Sequence, residues 1–144
     1  MRDQLLNASK RAGEVLDKIN AKGRVADGYT RIDPFAIADD DELPVMIRPL
    51  EKLLGAFVRA DNSHGILVNP QRPIGMVHLT CAHELGHYFL GHETKTDEDL
   101  DYGDSSSMDE QAANEFAYKL LMPRWLVVHV MRQKGWGVQD LQRS

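Results

Sequence analysis

A chain of 144 residues, 42% hydrophobic and 27% charged, has room for one domain that buries roughly two-thirds of its unfolded surface. A net charge of −5 excludes a basic nucleic-acid-binding face, because the only spread of cations (Lys10, Arg11, Lys18, Lys22, Arg24) is interleaved with acids. The single cysteine, Cys81, excludes an intrachain disulfide, no apolar run approaches the ~18 residues of a membrane span, and the charged first dozen residues do not read as a signal peptide, so a cytoplasmic protein without membrane contact is expected.

Between Arg2 and Lys22, Leu5, Ala8, Ala12, Val15, Leu16 and Ile19 recur at helical spacing. This predicts an amphipathic helix stopped by Gly23. Asp33 offers an N-cap and Pro34 a first helical residue for a short helix to about Glu42, closed by Pro44. Its acidic end, Asp39-Asp40-Asp41, lacks the glycine and spaced oxygens of a calcium loop and reads as a solvated helix end.

Three β-rich runs follow at 45–48, 55–60 and 65–69. Asp61-Asn62-Ser63-His64-Gly65 reads as a hairpin loop with His64 exposed, and the spacing favours a small antiparallel sheet. After Pro70 and Pro73 a helical pattern runs to about Gly91. The next stretch, ETKTDEDLDYGDSSSMD, is acidic, serine-rich and aperiodic, and reads as a mobile surface loop. Ser107 or Asp109 can cap a helix over 110–121 that ends at Met122-Pro123, and a last helix covers 124–134. The expected fold class is α+β. One domain, 1–144, is expected to place a small antiparallel sheet against a central helix, with its core at about 34–123.

Within that central helix, His83-Glu84-Leu85-Gly86-His87 reads H-E-x-x-H. Residues four apart share a helix face, so His83 and His87 can bind one ion, and zinc is the expected metal. Glu84, rotated by about 100°, can reach a water on that ion without ligating it, which makes it the natural general base. With six histidines and eight glutamates in the chain, chance predicts roughly 0.01 such motifs. Two buried histidines on one face with a glutamate between them are costly for a core with no task. Gly86 would let substrate or another backbone approach.

His92 is the tempting third ligand, but the longer zinc pattern needs glycine three and histidine six residues after the second histidine. Here they stand four and five residues after, at Gly91 and His92, so His92 is read as a capping or rim residue. Glu110 is the better candidate: Asn114, one turn on, can accept a hydrogen bond from a ligating histidine. Asp109 and Glu115 compete with it but have no polar partner four residues on. Ala112, Ala113 and Ala117 would let this helix pack closely on the metal helix. His-His-Glu with one open position is the composition of a hydrolytic zinc site. For the oxyanion partner, Tyr88, Tyr102, Tyr118, His78 and Arg124 stay open.

HELGH paired with the downstream run Glu110-Gln-Ala-Ala-Asn114-Glu-Phe116-Ala117-Tyr-Lys-Leu120-Leu121-Met122-Pro123, together with GILVNP before the metal helix, resembles the ImmA/IrrE family of metallopeptidases. The resemblance covers about 34–123 and implies a gluzincin-like fold with His83, His87 and Glu110 as zinc ligands and Glu84 as base. It further implies cleavage of a helix-turn-helix (Xre-type) repressor or antitoxin, with no direct contact to nucleic acid. The acidic loop before Glu110 departs from the family pattern and bears on the shape of the substrate groove. Two other functions share the motif: a module that binds its regulator without cutting it, and a toxin acting by another hydrolysis.

Overall fold

Asn20, rather than Gly23, breaks the first helix. The computed structural model describes residues 2–26, 32–98 and 107–134, and it ends α1 (Arg2–Lys18) at a left-handed Asn20 with φ of 54° before α2 (Ala21–Ala26) resumes. Asparagine tolerates that conformation. Gly23 serves it instead, since a Cβ there would lie 2.4 Å from the Asn20 amide. In α3 (Pro34–Asp40), Asp33 caps as expected, accepting from Phe35 N–H at 3.0 Å, with Pro34 leading the first turn.

The sheet is built from β1 (Val45–Ile47), β2 (Leu53–Arg59), β3 (His64–Val68) and β4 (Lys95–Glu98), in the order β1-β3-β2-β4. β2 and β3 form the expected antiparallel hairpin, closed where Ala60 N–H donates to Ser63 O at 2.9 Å. The sheet as a whole is mixed, not antiparallel. The chain lays β2 on the far side of β3, so β3 returns alongside β1 in the same direction, Val45 opposite Ile66. β4 is the second correction, because it lies in the stretch read as a loop. Pairing with the open edge of β2 satisfies its backbone groups and overrides the weak strand propensity of Lys-Thr-Asp-Glu.

α4 (Ile74–Phe89) packs on β2 and β3, α5 (Met108–Leu121) packs on α4, and α1 packs on α5. Every residue of α4 from Thr80 to His87 is buried, since the sheet covers one side and α5 the other. The approach of α5 depends on small residues. A Cβ on Gly86 would come within 3.0 Å of both the Cα and the carbonyl oxygen of Ala113. Phe89 and Phe116 stack beside that contact, and Phe57, Ile66 and Leu85 fill the core beneath. α6 (Arg124–Lys134) adds Leu126 to the core. Among the described residues no helix is long and apolar enough to cross a membrane. The α+β class expected from the sequence is the one observed.

Candidate metal centre

His83 and His87 stand one turn apart on α4, their rings nearly perpendicular and their Nε2 atoms 3.2 Å apart. Both are buried, and their outer nitrogens are spoken for. His83 Nδ1 lies 2.7 Å from Asn114 Oδ1, an oxygen that can only accept, so the ring carries a proton on Nδ1. His87 Nδ1 lies 2.9 Å from His92 Nδ1.

The third group comes from the first turn of α5. Ser107 caps that helix, its hydroxyl accepting from Glu110 N–H at 3.1 Å in the S-x-x-E arrangement. The cap fixes the backbone so that the Glu110 carboxylate lies on both histidines: Oε2 is 2.7 Å from His83 Nε2, and Oε1 is 3.2 Å from His87 Nε2. Glu84 is wholly buried, and its carboxylate, His83 and His87 offer ligand atoms within 4.8 Å of one another. Its neighbour beneath is Gly55 of β2, where a Cβ would lie 3.2 Å from Glu84 Oε2 and 2.7 Å from Thr80 Cγ2. Sequence reasoning missed Gly55; a glycine inside a strand pattern, marking a close approach, was the available signal.

The donor set fits a divalent cation. Two imidazole nitrogens and a carboxylate converge at 2.7–3.2 Å in a largely buried position, a His-His-carboxylate set of the kind that holds such an ion. A ligating pair of this kind also needs its outer nitrogens held, as they are here.

Over residues 38–143 the chain matches the IrrE N-terminal-like domain, a peptidase family. The chain belongs to this family. No curated protein matches it. The matched span holds the sheet, α4 and α5, and so every group of the centre, whereas α1 precedes it. Membership of a peptidase family makes this IrrE-like domain a hydrolase, and His83, Glu84 and His87 give it a group able to hold a metal.

The other residues named from sequence are dispersed around the domain. Tyr88 is turned away from the histidine pair, its hydroxyl donating to the Asp41 carboxylate. Burial alone would raise the Asp41 pKa, but hydrogen bonds from Tyr88 and Lys18 outweigh it and hold the carboxyl below its usual range. Tyr118 is 45% exposed on α5, one turn beyond Asn114. His78 is half-buried with Nδ1 on Ile74 O at 2.9 Å, Arg124 is exposed at the start of α6, and Tyr102 lies outside the described residues. His64 is half-buried rather than an exposed turn residue, its Nε2 3.0 Å from Arg59.

Arg59 was not anticipated. From the end of β2 it donates to the carbonyls of His92 at 2.8 Å and Tyr88 at 3.3 Å, a cation on the C-terminal turn of the metal helix. His92 follows that turn, and burial pushes its pKa below the usual histidine range against the pull of Asp109. Burial likewise pushes the Cys81 thiol up, with Asp33 and Glu84 adding to the effect, which marks an inert core residue.

Proposed function

We propose that this IrrE-like domain is a zinc-dependent endopeptidase that cuts a helix-turn-helix repressor or antitoxin. The observation that carries the reading is the convergence of His83 Nε2, His87 Nε2 and the Glu110 carboxylate within 3.2 Å. In this reading those three residues hold the zinc, which when bound supplies a Lewis acid that lowers the pKa of a water toward ~7 and polarises a carbonyl. Glu110 rather than Glu84 is the third ligand, because its carboxylate touches both Nε2 atoms. Glu84, one residue along the helix from His83, is the base: its carboxylate takes the proton of the attacking water and passes it to the leaving amine. Asn114 holds His83 in its working tautomer, and the buried setting of Glu84 excludes bulk solvent from the proton transfer.

The substrate class rests on the family resemblance and on charge. The run Asp97-Glu98-Asp99-Leu100-Asp101 precedes the Glu110 helix in the sequence, and an acidic segment suits the basic surface of a DNA-binding protein. A regulator of transcription also places the reaction in the cytoplasm. The test is to search the neighbouring genes for a small helix-turn-helix regulator and to co-express it with this chain. Wild type should cut it, and Glu84→Gln should leave it intact while retaining zinc and fold. If Glu84→Gln cuts as well as wild type, or derepresses equally in vivo, the proteolytic reading fails.

A further inference from the structure

Deepening the zinc-site reading, and resting on it, we infer that His92 is the positioning residue of His87. Its imidazole, anchored in turn by Asp109, accepts the His87 Nδ1–H and fixes the tautomer and ring plane that aim Nε2 at the metal position.

The argument begins with the end of α4. Gly91 adopts φ of +76°, its N–H donates to Tyr88 O at 3.2 Å, and the His92 N–H donates to His87 O at 2.9 Å. These are the two bonds of a Schellman cap, which reverses the chain immediately after the helix. The reversal brings residue 92 back over the carbonyl of residue 87. Arg59 Nε then holds the His92 carbonyl at 2.8 Å, so the His92 backbone is gripped on both sides.

The side chain lands on the outer edge of the His87 ring, Nδ1 to Nδ1 at 2.9 Å. That position excludes His92 from ligating the same ion, since the ligand atoms converge on Nε2. It makes His92 the counterpart of Asn114 on His83. The protons are then determined. One hydrogen lies between the two Nδ1 atoms, and His87 must carry it if its Nε2 is bare. His92 accepts at Nδ1 and carries its own proton on Nε2, which faces Asp109 Oδ1 at 3.4 Å. Asp109 Oδ2 is fixed by Lys95 of β4 at 3.1 Å. Each histidine of the pair therefore has a polar partner at its outer nitrogen, and the partner of His87 is itself oriented by a charged residue.

Chelator competition for zinc tests this on the full chain, with far-UV circular dichroism reporting the fold. His92→Ala should weaken zinc binding about 10–100-fold, as should Asn114→Ala. His92→Asn, whose carboxamide oxygen can accept the same hydrogen, should recover most of the loss. The cobalt-substituted protein should show an altered visible spectrum in His92→Ala and a restored one in His92→Asn. Zinc affinity in His92→Ala within about twofold of wild type, while Asn114→Ala loses it, overturns the inference. So does an equal loss in His92→Asn, which would make packing the cause. If His92→Ala does not fold, His92→Leu takes its place and is read the same way. A His87→Ala variant separates the two claims: undiminished zinc binding there brings down the metal site itself.

Discussion

Gly86 and Ala113 bring the backbones of α4 and α5 together so closely that a single methyl on Gly86 would press on the Cα and carbonyl oxygen of its neighbour at 3.0 Å. The contact lies between the two histidines and the helix that carries Glu110, so it sets the distance across the centre. Gly86→Ala should destabilise the domain by about 1–3 kcal/mol, because backbone atoms rather than a flexible side chain must give way. It should also weaken zinc binding by spreading Glu110 from the pair. Gly13→Ala in α1 is the control: nothing lies within 4 Å of its Cβ, and removing a helical glycine there should stabilise by about 0.5–1 kcal/mol. Thermal denaturation of both variants, with and without zinc, checks the contrast.

Gly55 makes a similar prediction on the other side of the metal helix. An alanine would meet Leu67 O and Thr80 Cγ2 at 2.7 Å and crowd the Glu84 carboxylate. Gly55→Ala should lower kcat far more than it raises KM, since the proposed base is displaced while the substrate surface is kept. Steady-state kinetics on a cleaved partner would show it; an unchanged kcat would remove Glu84 from the proton transfer.

Metal removal has a thermodynamic signature. At a free zinc concentration of about 100 Kd, binding to the folded state adds about 2.7 kcal/mol, so chelation should lower Tm by about 5–10 °C in a domain of this size. Glu110→Ala should shrink that difference, and His83→Ala should abolish it. A Tm indifferent to chelation in wild type would contradict the zinc assignment.

Tyr88→Phe carries a pH dependence. The Asp41 carboxyl is held below its ordinary 3.8, and such a group stabilises the fold above its unfolded pKa and loses that contribution as pH falls through the folded value. The variant should lose about 1–2 kcal/mol at pH 7, and its gap from wild type should narrow below pH ~4. Proteolysis should survive, because the Tyr88 hydroxyl serves Asp41 and not the reacting carbonyl. Unfolding midpoints at several pH values, with an activity assay beside them, check both halves.

What could be read from sequence was what short-range chemistry decides. H-E-x-x-H placed two nitrogens on one helix face, Ser107 and Glu110 stood at capping spacing, and Asp33-Pro34 announced a helix start. The direction of β1 could not be read, because it depends on which side of β3 the chain lays β2, and no local pattern encodes that. β4 was hidden for the same reason: its conformation is imposed by the edge of β2 on residues with little preference for it. His92 is the instructive case. Counting residues excluded it from the longer zinc pattern, and the same glycine that broke the pattern turns the chain to bring its side chain against His87. Spacing argued against His92 as a ligand of the longer pattern; the helix cap accounts for its ring lying on that of His87.

The ligand groups also belong to two distant segments of one chain, and that has a consequence for chain entropy. An ion gripped by His87 and Glu110 cross-links a loop of about 23 residues, a span whose closure removes about 3 kcal/mol of conformational freedom from the unfolded ensemble if the link behaves as a covalent one does. The acidic run 97–101 and β4 both lie inside that loop. Zinc would then act as a removable staple on this segment of the chain, coupling metal loading to the closure of the loop between α4 and α5.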